Sequence, residues 1–283
     1  MMTENIRRDG RDDDFSEDDS PYFIPVTESD TDRDLLFHYV FKSVLKGNYI
    51  SPIDHSSLKT CLDIAYGGGA WMMEMATDFP NCHFYGIDIE PRTPDAVYPH
   101  NCTFDKGDFL KKLPYPDNMF DLVHIRLTLV WTPIGNLLEE IARVTKPGGY
   151  VEFLDQDVSS CPVNAGPLMT SLVNAWKDIQ ISKNIDVDLM LNLDKKLIEK
   201  GFENVQIKKH PVPMGKWAGM VGEFFLSAFK LFTLSTASLT SGRLGHPSLQ
   251  TEDEYAELVQ KLGAECEEYQ PVISIHAGFA KKI

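Results

Sequence analysis

Two acids and a glycine turn carry the chemistry that is easiest to read in this chain. The run Leu62-Asp63-Ile64-Ala65-Tyr66-Gly67-Gly68-Gly69-Ala70-Trp71 reads as a strand, a tight turn and a helix start. Tyr85-Gly86-Ile87-Asp88-Ile89 follows as a second strand closed by an acid, with Asp88 nineteen residues after Gly69. A strand–turn–helix–strand unit of this length brings the second acid back beside the turn, where its carboxylate can accept both hydroxyls of a ribose. Gly67 and Gly69 let backbone approach the ligand closely, as only residues without a Cβ do.

The details narrow the ligand. A dinucleotide fingerprint places its third glycine where this chain has bulky Met72, and a P-loop needs a Gly-Lys-Ser/Thr end that is absent. Asp63, just ahead of the turn, would repel a pyrophosphate but suits an ammonium. S-adenosylmethionine carries an ammonium, a sulfonium and a ribose, and no phosphate, so it is the expected cofactor. A nucleotide-dependent oxidoreductase is the reading that these residues disfavour.

The same segment resembles motif I and its following acid in class I S-adenosylmethionine-dependent methyltransferases. Four further pieces extend the likeness: Lys106-Gly107-Asp108-Phe109, the run from Leu113-Pro114 through Phe120-Asp121-Leu122-Val123-His124-Ile125-Arg126, Thr145-Lys146-Pro147-Gly148-Gly149-Tyr150-Val151-Glu152, and Asp32-Arg33-Asp34-Leu35 through His38-Tyr39. The last resembles the helix ahead of motif I in fungal methyltransferases related to the velvet-complex regulator of secondary metabolism. The resemblance is strong over residues 30–160. It implies an α/β, doubly wound, Rossmann-like fold: a seven-stranded, mostly parallel sheet with helices on both faces and an antiparallel last strand. One departure is Ala65, where the family usually opens its loop with glycine; alanine is tolerable there if φ stays negative.

The resemblance also distributes roles. Asp63 would hold the methionyl ammonium, Ala65, Gly67 and Gly69 the loop against the donor, Asp88 the ribose, and Ile89 one adenine face. Asp108 would accept from the adenine amino group, with Phe109 beside the ring. Arg126 would pair with the methionyl carboxylate or the substrate, and His38, on the covering helix, would touch that carboxylate. Acid–base candidates are His124 on the fourth strand and Asp155 after the fifth, with Asp157 beside it; Trp131 and Tyr22 are candidates for the acceptor wall. Because a sulfonium methyl is already activated, alignment and exclusion of water matter most, and a base only if the acceptor is protonated.

These residues need elements to position them. Apolar spacing predicts a helix over 31–46 with Leu35, Leu36, Tyr39, Val40, Ser43 and Val44 as its stripe. Strands are expected at 59–65, 83–89, 102–106, 120–126 and 149–155. Helices are expected at 70–79, from Thr132-Pro133 to about the Pro147 turn, at 165–183 and at 192–200, followed by strands near 203–209 and 271–280. Residues 217–234 are almost wholly apolar with four Phe, fitting either a buried helix or the wall of an acceptor pocket; a helical insertion is expected near 211–265.

Composition bounds the rest. With 283 residues and 43% hydrophobic content the chain can bury one large domain, expected over 31–283. Residues 1–34 hold twelve acids and four bases within an overall charge of −15, and 1–30 read as an acidic disordered tail. The remaining body is also acidic, which argues against nucleic acid as a partner. Cys61, Cys82, Cys102, Cys161 and Cys266 are scattered without metal-ligand spacing, so no metal is expected. No apolar run reads as long enough to cross a bilayer, and no secretory leader is visible, so the cytoplasm or nucleus is expected. The acceptor is a small molecule or a protein; a homodimer, or a cofactor-binding scaffold in a regulatory protein complex, stays open.

Overall fold

The computed structural model describes residues 23–25, 27–92, 98–240 and 252–283. Seven strands form one sheet in the order β3-β2-β1-β4-β5-β7-β6, from β1 (Thr60–Ile64), β2 (His83–Asp88), β3 (Cys102–Lys106), β4 (Phe120–Arg126), β5 (Thr145–Gln156), β6 (Phe202–Pro213) and β7 (Val272–Lys282). The first five pair in parallel, and β7 runs antiparallel between β5 and β6. The central strands are apolar on both faces, as a covered parallel sheet requires. Cys61, Phe84 and Leu122 face α2 (Ala70–Asp78) with Trp71, Met72 and Met75, whereas Leu62, Ile64, Val123 and Ile125 join the larger core on the other side. Pro211 and Pro213 are tolerated in β6 because it is an edge strand.

Met72 occupies the place of a dinucleotide fingerprint's third glycine and is fully buried. The close approach is relocated to the strand: a Cβ on Gly86 would lie 2.6 Å from the Tyr66 ring and 3.1 Å from the Met72 sulfur. The small residue that this packing requires therefore sits on β2 rather than on α2.

Three expectations are corrected. The first helix, α1 (Asp30–Leu45), buries Asp30, Arg33, His38, Val40 and Phe41, while Leu35 and Tyr39 of the expected stripe are exposed. Its inward face meets a polar cleft as well as the core, so apolar spacing misplaces that face. The helix expected from Thr132-Pro133 starts at Leu137 instead, as α3 (Leu137–Val144), with Asn136 preceding it. The Thr132 hydroxyl donates back to the Thr128 carbonyl at 2.9 Å and closes a loop rather than capping a helix. Finally, residues 216–235 are long and apolar enough, by length and composition, to cross a bilayer. Here they form a 3-10 turn and α6 (Gly219–Ser235), whose Phe225, Leu226, Phe229 and Phe232 are buried in the fold.

The remaining helices are α4 (Pro167–Ser182), α5 (Leu189–Glu199), α7 (Ala237–Thr240) and α8 (Glu252–Tyr269), so α6, α7 and α8 all lie between β6 and β7. Helix α6 packs on α1 through edge contacts of Phe225 with Phe37 (5.9 Å between ring centres) and Phe41 (6.2 Å). Residues 1–22 of the acidic stretch, Tyr22 included, lie outside the described residues. Ile24 is buried, and α1 begins at Asp30.

Candidate active site

The carboxyl ends of β1, β2 and β4 open into one cleft of about 1060 Å³, adjoining open solvent included, roofed by α1 and bounded by α6. Ligands of open α/β sheets bind at this end of the strands. After β1 the chain turns through Ala65 (φ 58°), Gly67 (φ 58°) and Gly69 (φ 74°) into α2. The expectation of a negative φ at Ala65 is thus corrected. Its N–H still continues the strand to the Ile87 carbonyl (2.8 Å), and the left-handed φ then turns the chain that follows out of the sheet, at a cost of roughly 1–2 kcal/mol for an alanine. Leu127, at the end of β4, is also left-handed (φ 53°) while its N–H donates to Leu154 O at 2.8 Å. Two strained residues line one cleft, where such strain tends to collect.

Asp88 organises the loop. Its Oδ2 accepts the Gly67 N–H at 2.7 Å and its Oδ1 the Glu90 N–H at 2.8 Å. Burial raises its pKa against those two bonds. Each oxygen keeps another lone pair, enough for a diol. Above the loop, Asp34 on α1 accepts Arg33 Nη2 (3.0 Å) and Arg92 Nη2 (2.7 Å), and Arg33 also donates to Asp30 (2.8 Å). A Cβ on Gly67 would fall 2.7 Å from Asp34 Oδ2, so the close approach of α1 to the loop needs glycine there as much as the φ does.

On the floor, Asp63 Oδ1 and His124 Nδ1 lie 2.8 Å apart, and the imidazole stacks on Trp71 (3.6 Å, 6°). Arg126 ends β4 in the cleft wall with burial lowering its pKa, and Nη1 donates to His38 Nδ1 at 3.3 Å. Among the described residues no carboxylate comes within ion-pair distance of this guanidinium.

The other half of the cleft is apolar. Ile24, Phe37, Leu127, Trp131 and Phe232 line it, with Thr128, Thr132 and Gln156 as its polar points. Trp131 meets Phe232 edge-on at 4.9 Å, and Trp176 backs both rings. The Phe-rich helix is therefore both core and wall.

Of the residues expected at the site, the structure brings Asp63, Ala65, Gly67, Asp88, Ile89, Phe109, His124 and Arg126 into the cleft lining. Gly69 lies outside that lining and turns the chain into α2. Asp108 Oδ1 accepts the Leu110 N–H at 2.9 Å, holding a turn. His38 stands behind Arg126. Asp155 does not line the cleft: fully buried, it accepts the N–H groups of Thr128 (2.9 Å) and Val130 (3.3 Å), and burial pushes its pKa up to about 7. Asp157 bonds Ser159 and lies 3.9 Å from His276, which is in β7. Trp131 lines the apolar half. Sequence reasoning missed Arg33, Asp34, Arg92, Phe37, Thr132 and Gln156. An Asp-Arg-Asp run on an otherwise apolar helix was the one available signal.

A doubly wound sheet with a glycine loop after β1, a buried acid with lone pairs to spare after β2, an acid suited to ammonium and a buried cation suited to carboxylate fit a class I methyltransferase fold with a nucleoside cofactor cleft. The methyltransferase-domain family matches residues 61–149. Methyltransferase psoC of Aspergillus fumigatus is 31% identical over 63% of this chain and 67% of that protein. Secondary metabolism regulator laeA of Coprinopsis cinerea is 29% identical over 68% of this chain, which spans about half (53%) of the regulator's length. In fold, phosphoethanolamine N-methyltransferase 2 of Haemonchus contortus, solved with S-adenosylhomocysteine, superposes with a TM-score of 0.50 at 14% identity, over 88% of this chain and 57% of that one. The chain belongs to the S-adenosylmethionine-dependent methyltransferases, related to the fungal secondary-metabolism regulators, and S-adenosylmethionine is its cofactor.

Proposed function

We propose that this methyltransferase acts on a small, apolar, ring-bearing acceptor. The observation that carries the reading is the continuity of the cleft: the polar donor half runs directly into a wall of Phe37, Trp131 and Phe232. Ring-lined pockets with a few polar points are suited to small molecules. When bound, the cofactor supplies a methyl group on a positively charged sulfur. The chain's own residues do the rest. Asp88 takes the ribose hydroxyls, Ile89 and Phe109 flank the base, and Asp63 and Arg126 take the ammonium and carboxylate. Thr128, Thr132 and Gln156 orient the acceptor.

Orientation of two reactants in a water-poor cleft supplies roughly 7–11 kcal/mol of barrier reduction, enough to make positioning the main contribution. Every carboxylate in the lining already has a partner: Asp34 its arginines, Asp63 the His124 ring, Asp88 two backbone N–H groups. Among the described residues His124 is the one imidazole lining the cleft; with its Nδ1 proton given to Asp63, Nε2 is the nitrogen able to receive a proton from a protonated acceptor. Asp155 serves by holding the 128–130 loop that presents Thr128 and Trp131. The acidic body of the chain speaks against nucleic acid as the acceptor.

The likeness to secondary-metabolism regulators favours a second reading, a protein acceptor or a scaffold role within a regulatory complex. One assay separates the two. S-adenosylhomocysteine release is followed with a panel of aromatic small molecules and, separately, with a protein extract. Turnover with the ring-bearing molecules is expected. Labelling confined to the protein fraction would overturn the small-molecule reading, and cofactor binding without turnover in either arm would favour the scaffold.

A further inference from the structure

A line of side chains runs from the cleft floor to the surface behind Arg126. Arg126 Nη1 meets His38 Nδ1 at 3.3 Å, and His38 Nε2 lies 3.1 Å from Glu74 Oε2. That same oxygen takes Lys42 Nζ at 2.5 Å and Asn48 Nδ2 at 3.0 Å. His38 is 1% exposed, whereas Glu74 keeps 30% of its side chain in solvent.

The donors and acceptors select one form of the ring. Arginine only donates, so His38 Nδ1 must carry the lone pair and the proton sits on Nε2; the Glu74 carboxylate lies 3.1 Å away there without hydrogen-bond alignment, so its attraction for the N–H is electrostatic. A doubly protonated ring would face a guanidinium with a second cation. Burial and Arg126 accordingly hold the His38 pKa at about 4, leaving the ring neutral at ordinary pH. The consequence is for Arg126. An arginine in a cleft is usually oriented by a carboxylate, which fixes it but also cancels its charge. Here a neutral ring accepts from it, and Asp63, Asp34 and Glu74 act on its charge only from beyond ion-pair distance, so its outer N–H groups stay available.

We propose that His38 is a positioning residue which, held in one tautomer by the Arg126 donor and favoured in it by the nearby Glu74 carboxylate, aims Arg126 at the carboxylate of the bound cofactor and makes cofactor affinity depend on that carboxylate. The proposal rests on the reading that the cofactor's aminocarboxyl end lies at Arg126. It predicts selectivity against adenosine ligands that lack the acid, a property that the ribose and adenine contacts do not confer.

Calorimetric titration of the full chain with S-adenosylhomocysteine and with decarboxylated S-adenosylhomocysteine, which keeps the amine, ribose and base, tests it. Wild type should prefer the carboxylate-bearing ligand. His38→Ala should cut that preference about tenfold, the size of one misdirected charge-assisted contact, while affinity for the decarboxylated ligand stays within about twofold. His38→Asn, whose Oδ1 stands near the place of Nδ1, should restore most of the preference. His38→Gln, which reaches toward Glu74 instead, should not. Glu74→Ala, a change at a partly exposed site, should lower the preference about threefold by freeing the tautomer, and it keeps the test open should His38→Ala fail to fold. Equal weakening of both ligands in His38→Ala, or an unchanged preference in His38→Ala or Glu74→Ala, overturns the positioning role. If wild type itself binds both ligands equally, the assignment of the carboxylate to Arg126 is what fails.

Discussion

Replacing Asp88 by Ala perturbs two things that can be measured apart. In the free protein Asp88 accepts N–H groups from Gly67 (2.7 Å) and Glu90 (2.8 Å) at a site 7% exposed. Alanine leaves both donors without an acceptor, at about 1–3 kcal/mol each. Against this, the raised pKa of Asp88 means that burying its charge already outweighs what the two bonds return, and removing the charge recovers that cost. The net loss of stability should therefore fall at the low end, about 2 kcal/mol, or a melting temperature lower by roughly 4–8 °C for a chain of this size. Cofactor affinity has no such offset. Two ribose hydroxyls lose a charged acceptor, at about 1.5–3 kcal/mol each, so the dissociation constant for S-adenosylhomocysteine should rise by at least about a hundredfold. Asparagine would keep the shape and one acceptor oxygen, so Asp88→Asn should lose about tenfold to thirtyfold. The assay is calorimetry at a temperature where a parallel melt shows the variant folded. Binding by Asp88→Ala within threefold of wild type would refute the ribose assignment. A large stability loss with normal affinity would show that Asp88 serves only the loop.

Three further outcomes are expected. Ala65→Gly removes a left-handed alanine at about 1–2 kcal/mol but adds about 0.5–1 kcal/mol of glycine entropy, so the urea midpoint should rise slightly with cofactor affinity unchanged; a lower midpoint would show that the methyl group packs usefully. Gly67→Val puts a branched Cβ onto Asp34 at a positive φ, and titration should detect no S-adenosylhomocysteine binding; normal binding would refute the close-approach argument. Asp155 has a folded pKa raised from 3.8 to about 7, so its contribution to stability is full below its unfolded value and is lost as pH rises through about 7. Asp155→Asn should accordingly lose less stability than wild type between about pH 5 and pH 8 in urea titrations, and equal losses would contradict that linkage.

The donor half was legible because its determinants are local. Asp63, the glycines and Asp88 fall within one strand–turn–helix–strand unit, where spacing alone dictates proximity. The acceptor half draws Phe37, Trp131 and Phe232 from elements separated by a hundred residues or so, and no local pattern joins them. The partnership of Arg126 with His38 spans 88 positions and is equally invisible to spacing. Helix α1 shows a different failure. Its inward face presents Arg33 and His38 because part of what it covers is a ligand cleft, and an apolar-stripe criterion assumes that the inward face is the apolar one. Asp155 read as catalytic because it falls at the carboxyl end of the fifth strand, yet a carboxylate there can equally satisfy the backbone of the loop after β4, and only the register of the two strands decides.

This division between local and distant determinants bears on how the two halves can change. The donor half is held by backbone: Asp88 to two N–H groups, Ala65 to Ile87, Leu127 to Leu154, all at the ends of paired strands. Such a site tolerates little substitution, because moving any one group moves a strand end. The acceptor wall is held by side-chain packing of α6 on α1 and α4, where rings meet edge-on and can be exchanged for other apolar groups of similar volume at modest cost. Helix α1 serves both halves of the cleft. It carries Phe37 into the apolar half of the cleft and, one residue on, His38 against Arg126, so a shift of this helix that reshapes the apolar wall is expected also to move the Arg126 guanidinium.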